Sequence, residues 1–212
     1  MSSDKKKGSV KWLIAVGVIA FSIWLYEEVI EEYVIPDLFP LRWGCVEEGS
    51  LYRSGQLSAA LVEKTLKKNE IAVVIALNGE HAAHRDHEAE MRAVASLGLE
   101  FHRFPLKGDG TGDIAMYAEA IKTIVRAQAE EKPTQVHCAA GVLRSGGVLA
   151  CYKLLVKGES PDQIRRHLKD YGWRAEKDKK LLPFINANMN RLTELLLAEG
   201  VISSIPNPLP TL

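Results

Sequence analysis

An eleven-residue run, Val136-His137-Cys138-Ala139-Ala140-Gly141-Val142-Leu143-Arg144-Ser145-Gly146, carries the side chains best suited to chemistry. It reads as the end of an apolar strand, a glycine-containing loop and the start of a helix. Backbone N–H groups of such a loop, with a helix N-terminus behind them, converge on an anion. Gly141 and Gly146 allow turns that a side chain would obstruct. The same field favours Cys138 as a thiolate, the nucleophilic form of the side chain. Arg144 offers a planar fork that can grip two phosphate oxygens at once. A thiolate beneath a bound phosphate, with an arginine on the equatorial oxygens, is equipped for in-line phosphoryl transfer to sulfur.

A strand must deliver that cysteine and a helix must present that arginine. The surrounding pattern supplies both. Short strands are expected at 45–46 and 50–53, on either side of a Glu-Glu-Gly turn. Residues 71–77 form a continuous apolar run, as a buried parallel strand does. Strands are also expected at 99–106 and 134–137. Helices are expected over 58–68 with Ser58 as cap, 84–97 ended by Gly98, 113–132 capped by Asp113, 144–157 ended by Gly158, and 182–198. Ser160-Pro161 opens a further helix. Strands alternating with helices predict an α/β fold with a central, mainly parallel sheet flanked by helices. Ligands in such sheets bind at the carboxyl ends of the strands, where Cys138 falls.

The stretch His137 to Ser145 has the form HCxxGxxRS and resembles the signature of the cysteine-dependent protein tyrosine phosphatase superfamily. Leu51-Tyr52-Arg53-Ser54-Gly55-Gln56-Leu57 is similar to the opening motif of small bacterial dual-specificity-like phosphatases. Val73-Val74-Ile75-Ala76-Leu77-Asn78-Gly79-Glu80 is similar to their second strand and turn, with Asn78 where relatives carry arginine. Together these motifs cover about residues 43–175. The resemblance implies a phosphomonoester hydrolase that works through a cysteinyl-phosphate, with no metal and no cofactor. Cys138 is then the nucleophile. Arg144 binds phosphate together with the loop residues Ala139, Ala140, Gly141, Val142 and Leu143. Ser145 hydrogen-bonds the sulfur, and His137 orients the loop and supports a low thiol pKa. The family's general acid is an aspartate on a mobile loop, needed because an alkoxide or phenoxide leaves poorly. Here that loop is 107–113, with three glycines. Asp109 lies mid-loop and is favoured as the acid; Asp113 is the alternative but reads better as a helix cap.

The substrate is a phosphorylated protein, a small phosphomonoester or a phospholipid monoester. The loop adds no cation of its own beyond Arg144, which disfavours highly phosphorylated inositides. A non-catalytic phosphate-binding module is the alternative from another class, but no catalytic side chain is missing. Cys45 and Cys151 read as structural. His81, His84 and His87 read as a solvated helix start, not a metal site. Arg53 reads as support for the active-site region.

The chain has 212 residues and no net charge, which gives no sign of nucleic-acid binding. Its charge is nevertheless sorted. Residues 1–26 sum to +3 and residues 27–40 to −5. Between them, residues 12–26 contain no charge, and 8–26 contain only Lys11. A spanning helix wants about 20 such residues. The expected organisation is a basic leader, single transmembrane helix (8–26) and acidic linker over 1–40, a phosphatase domain over 41–200 and a flexible tail over 201–212. The lysines before the span place the catalytic domain on the non-cytoplasmic side.

Overall fold

The computed structural model describes residues 12, 16–24, 26, 35–80 and 84–212. Two compact units divide the chain, one ending at Phe39 and one running from Pro40 to Leu212. In the first unit residues 16–24 are helical and Ile35–Leu38 form a short helical turn. Part of the expected span over 8–26 lies outside the described residues. Among the described residues no helix is long and apolar enough to cross a membrane. Val18, Ile19, Phe21 and Trp24 are all exposed.

The second unit is built on a five-stranded sheet. Its strands are β1 (Gly44–Glu47), β2 (Leu51–Ser54), β3 (Val73–Ala76), β4 (Glu100–Arg103) and β5 (Thr134–His137). Their order is β1-β2-β5-β3-β4. Only the β1–β2 hairpin is antiparallel; β5 runs parallel to both of its neighbours. The helices are α1 (Val62–Lys68), α2 (Arg85–Leu97), α3 (Ile114–Ala129), α4 (Leu143–Leu155), α5 (Pro161–Asp170) and α6 (Leu181–Ala198).

Period-2 alternation sorts the apolar run of β3 onto two cores. Val73 and Ile75 join one core with residues of α3, α4 and α6. Val74 joins the other with Val62 and Leu66 of α1 and Ala89, Ala93 and Val94 of α2. A strand covered on both faces has no polar side, which is why 71–77 reads as unbroken hydrophobicity. Helix α4 is likewise buried from Ser145 to Tyr152. Cys151 sits inside it, and burial pushes its thiol up to about 12. Cys45 instead lies exposed on β1.

Two caps fall where the sequence places them: Asp113 accepts an N–H bond at the start of α3, and Ser160 forms a capping box with Gln163. His84, expected as the first helical residue, instead caps α2. Two further expectations are corrected. The first helix begins at Val62, because the carbonyl of Ser58, not its hydroxyl, takes the N–H groups of Leu61 and Val62. The tail over 201–212 is also not loose. Val201, Ile202 and Leu209 pack against the main core, and Leu212 is 6% exposed. The Asn186 side chain holds both the N–H and the carbonyl of Leu212, at 2.8 and 2.7 Å. Replacing Asn186 with alanine is expected to lower unfolding stability by about 1–2 kcal/mol. Urea denaturation checks this, and an unchanged midpoint would show that the tail is not held there.

Candidate active site

Parallel pairing brings three strand ends together. Ser54 of β2 and Ala76 of β3 both stand level with His137 of β5. Cys138 follows immediately, and α4 begins five residues later at Leu143. The loop between them turns at Gly141, whose φ is +72°. A Cβ there would lie 2.5 Å from the Gly55 nitrogen, so conformation and packing both demand glycine.

Three successive loop carbonyls are bonded from outside. Ala139 O accepts from Gln56 N at 2.9 Å, Ala140 O from Arg42 at 2.8 Å, and Gly141 O from Arg53 at 2.7 Å. In a trans peptide the N–H points opposite to the carbonyl. The N–H groups of Ala140, Gly141 and Val142 are therefore turned to the other side of the loop. Gly141 N accordingly donates to Cys138 Sγ at 3.2 Å. Arg53 is fully buried for this purpose. Its other arm meets His167 Nε2 at 3.0 Å, and its guanidinium lies 3.8 Å from the Tyr171 ring centroid. Burial lowers its pKa to about 10, which leaves it charged at neutral pH.

Cys138 is 1% exposed at the floor of a hollow of about 190 Å³. Burial alone would push its thiol up. The Ser145 hydroxyl 3.5 Å away, the Ser145 and Gly141 N–H groups and the Arg144 charge outweigh burial and bring it below the ordinary value. Arg144 lines the same hollow, and its buried Nε has no hydrogen-bond partner among the described residues.

Behind the cysteine, His137 is wholly buried, and its Nε2 is 3.0 Å from Glu90 Oε1. Burial disfavours the imidazolium, but the Glu90 charge overrides it and raises the His137 pKa. Burial likewise raises the carboxyl of Glu90, and His137 reverses that too. Gln56 Nε2 donates to the same Glu90 oxygen at 2.9 Å, and Gln56 in turn accepts from Asn78 at 3.1 Å. This gives Asn78 a place in the network.

The two aspartates separate clearly. Asp113 accepts from Ala115 N at 2.9 Å and caps α3. Asp109 lies in a second hollow of about 370 Å³, which shares Leu143 and Asp178 with the first. One Asp109 oxygen accepts from Thr111 Oγ1 at 2.7 Å and Thr111 N at 3.1 Å; the other is 3.2 Å from Lys180 Nζ. The Thr111 bonds, helped by Lys180, hold this carboxyl at a pKa of about 2. The loop carrying it is cross-braced, with Lys107 N bonded to Thr111 O and Tyr117 OH to Gly110 O.

Thus His137, Cys138, Ser145 and Arg144 converge with the backbone of 139–143, while Asp109 adjoins them. Sequence reasoning missed Glu90, Arg42, Arg174 and Asp178. The last three line the Cys138 hollow. Among the described histidines, His84 caps α2 and His87 packs 3.9 Å from Glu90.

Replacing Glu90 with glutamine removes the charge facing His137 and so weakens the cationic support for the thiolate. The thiolate exists above the Cys138 pKa and disappears as pH falls through it. The midpoint of the pH profile for iodoacetamide alkylation is expected to move up by about half a unit. An unchanged midpoint would contradict this coupling.

The profile of the family described as Tc-R-P, polymorphic toxin system, DSP-PTPase phosphatase, matches residues 53–159. That range runs from the buried arginine through the whole loop and α4. Among solved structures, the chain is similar to P. aeruginosa TpbA at 18% identity. The likeness covers 76% of this chain and 91% of that one, with a TM-score of 0.58. It is similar to the core catalytic domain of the PP-IP phosphatase SIW14 from S. cerevisiae at 14% identity, covering 81% and 97%, with a TM-score of 0.60. PTPMT1 is 17% identical over 72% of this chain and 99% of that one, with a TM-score of 0.54. At such identities the likeness shows the fold. No curated protein sequence matches the chain.

Proposed function

This chain belongs to the polymorphic toxin system DSP-PTPase phosphatase family, and from that premise we propose that it hydrolyses phosphomonoesters through a cysteinyl-phosphate on Cys138. One observation carries the reading. A thiol kept below its ordinary pKa shares a hollow with an arginine whose buried Nε has no partner among the described residues. An unpaired buried donor of this kind is costly unless an anion meets it.

The mechanism follows from the loop. The non-bridging oxygens of a phosphate dianion take the loop N–H groups and the Arg144 fork. The Cys138 thiolate attacks phosphorus in line. A sulfur–phosphorus bond forms as the ester phosphorus–oxygen bond breaks, and the leaving oxygen takes a proton from Asp109. Water then attacks phosphorus and passes its proton to Asp109, which the first step left as a carboxylate, while the sulfur leaves as a thiolate accepting from Ser145. Arg53 and Glu90 act through other residues, one by holding the Gly141 carbonyl and the other by holding His137. While Thr111 and Lys180 hold it, Asp109 is a carboxylate and has no proton to give. It becomes an acid only when that hold is loosened.

TpbA has been solved with phosphotyrosine and PTPMT1 with PI(5)P. Phosphotyrosine and phosphoinositide substrates are therefore the first classes to assay. Cys138→Ser is expected to abolish hydrolysis of both aryl and alkyl phosphates by the full chain. Asp109→Asn should lower alkyl phosphate turnover by about a hundredfold, with a smaller loss for good aryl leaving groups. A chelator should change nothing. Activity that survives Cys138→Ser would overturn the reading.

The uncharged run 12–26 supports a membrane anchor, with the phosphatase unit on the non-cytoplasmic side. The full chain is then expected in the carbonate-washed membrane fraction, and residues 40–212 in the supernatant. Full-chain protein released by the wash would remove the anchor.

A further inference from the structure

The phosphate loop supplies one cation, Arg144, yet the space around Cys138 is far more positive than that. Arg42 and Arg174 also line the Cys138 hollow. The adjoining hollow is lined by Lys177, Lys179 and Lys180. Across both spaces six cationic side chains face two carboxylates, Asp109 and Asp178.

Four of the six come from one short segment, residues 174–180 between α5 and α6. That segment is locally ordered. Asp178 accepts the Arg174 N–H at 2.7 Å and Arg174 O accepts from the N–H of Lys177, which turns the chain back beside Leu143. Neither Lys177 nor Lys179 has an ion-pair partner among the described residues. The loop N–H groups and Arg144 already meet one phosphate. The segment reaches the rim of that cradle through Arg174 and Asp178, while its three lysines line the adjoining hollow.

We propose that residues 174–180 form a second anion subsite, and that the substrate carries a second phosphate next to the one that is cleaved. This rests on the phosphatase reading above and names its substrate class. The absence of charge within the loop at Ala139, Ala140, Val142 and Leu143 does not weigh against such substrates, because the cations enter from another part of the chain.

Lys180 links the subsite to the chemistry. Its Nζ is the group that pairs with Asp109 Oδ2. A second phosphate competes for that ammonium. Asp109 then loses its cationic partner while keeping the Thr111 bonds, and its carboxyl moves toward taking up, from solvent, the proton that the leaving oxygen needs. Selection and activation thus pass through one side chain.

The test compares phenyl phosphate with 1,2-phenylene bisphosphate on the full chain, following release of inorganic phosphate. The expected kcat/KM ratio favours the bisphosphate by about tenfold, the size of one charge-assisted contact, beyond the statistical factor of about two. In Arg174→Ala, and in the combined Lys177→Ala, Lys179→Ala and Lys180→Ala variant, the ratio should fall to that statistical factor. In Lys180→Met, kcat for phenyl phosphate should rise while the bisphosphate advantage in kcat shrinks. An unchanged phenyl phosphate kcat would overturn the link to Asp109. A wild-type ratio near two, with phenyl phosphate still cleaved in a Cys138-dependent way, would overturn the subsite alone. Absence of Cys138-dependent cleavage of either probe would overturn the phosphatase reading instead. A vicinal inositol bisphosphate offered free, and as the same headgroup in phosphatidylcholine vesicles, identifies the source of the chemistry. Preference over the matching monophosphate in either arm supports the proposal; preference in neither overturns it.

Discussion

The orientation of three peptide planes governs this site. The carbonyls of Ala139, Ala140 and Gly141 are each tied outward, by Gln56 N, Arg42 and Arg53. The matching N–H groups therefore face the other way, and Gly141 N reaches the Cys138 sulfur. The turn exists only because Gly141 has a positive φ and no Cβ against Gly55. Arg53 is spent on structure to achieve this: it lies fully buried between a loop carbonyl, His167 and Tyr171. Desolvating a guanidinium is costly, and it persists because its arms end on acceptors and its face on an aromatic ring.

Charge is arranged around that frame in layers. Behind the sulfur, Glu90 and His137 form a buried pair that neither would sustain alone, since burial opposes ionisation of each. Around the sulfur, Ser145, Gly141 N–H and Arg144 oppose the burial that would keep it a thiol. Outside, Arg42, Arg174 and the lysines of 177–180 extend the positive field to the rim. Asp109 stands at the boundary of the inner and outer layers, held by Thr111 within its own loop and by Lys180 from across the hollow. The residue that must give up a proton is thus held as a carboxylate by its neighbours.

Much of this was legible in the sequence because it is local. The cysteine, glycine, arginine and serine lie within eight residues and are brought together by one strand, one turn and one helix. The caps at Asp113 and Ser160 are local too. What escaped depends on long-range placement. Glu90 looks like any helix carboxylate, and only the packing of α2 beside β5 reveals that it faces His137. Arg174 and Asp178 lie in a charged stretch without apolar periodicity, and sequence does not show that the α5–α6 connection folds back beside Leu143. The tail looked loose by composition, since SSIPNPLPTL contains no periodicity, yet two bonds from Asn186 and one buried leucine hold its end.

The central claim is that phosphate passes through the Cys138 sulfur. The most direct measurement is acid quenching of the full chain during turnover of an aryl phosphate, followed by peptide mass spectrometry. The account predicts one phosphate on the peptide containing Cys138, bound to sulfur, accumulating further in Ser145→Ala and absent in Cys138→Ser. Turnover with no phosphocysteine at any quench time, or phosphate on a different residue, would contradict it.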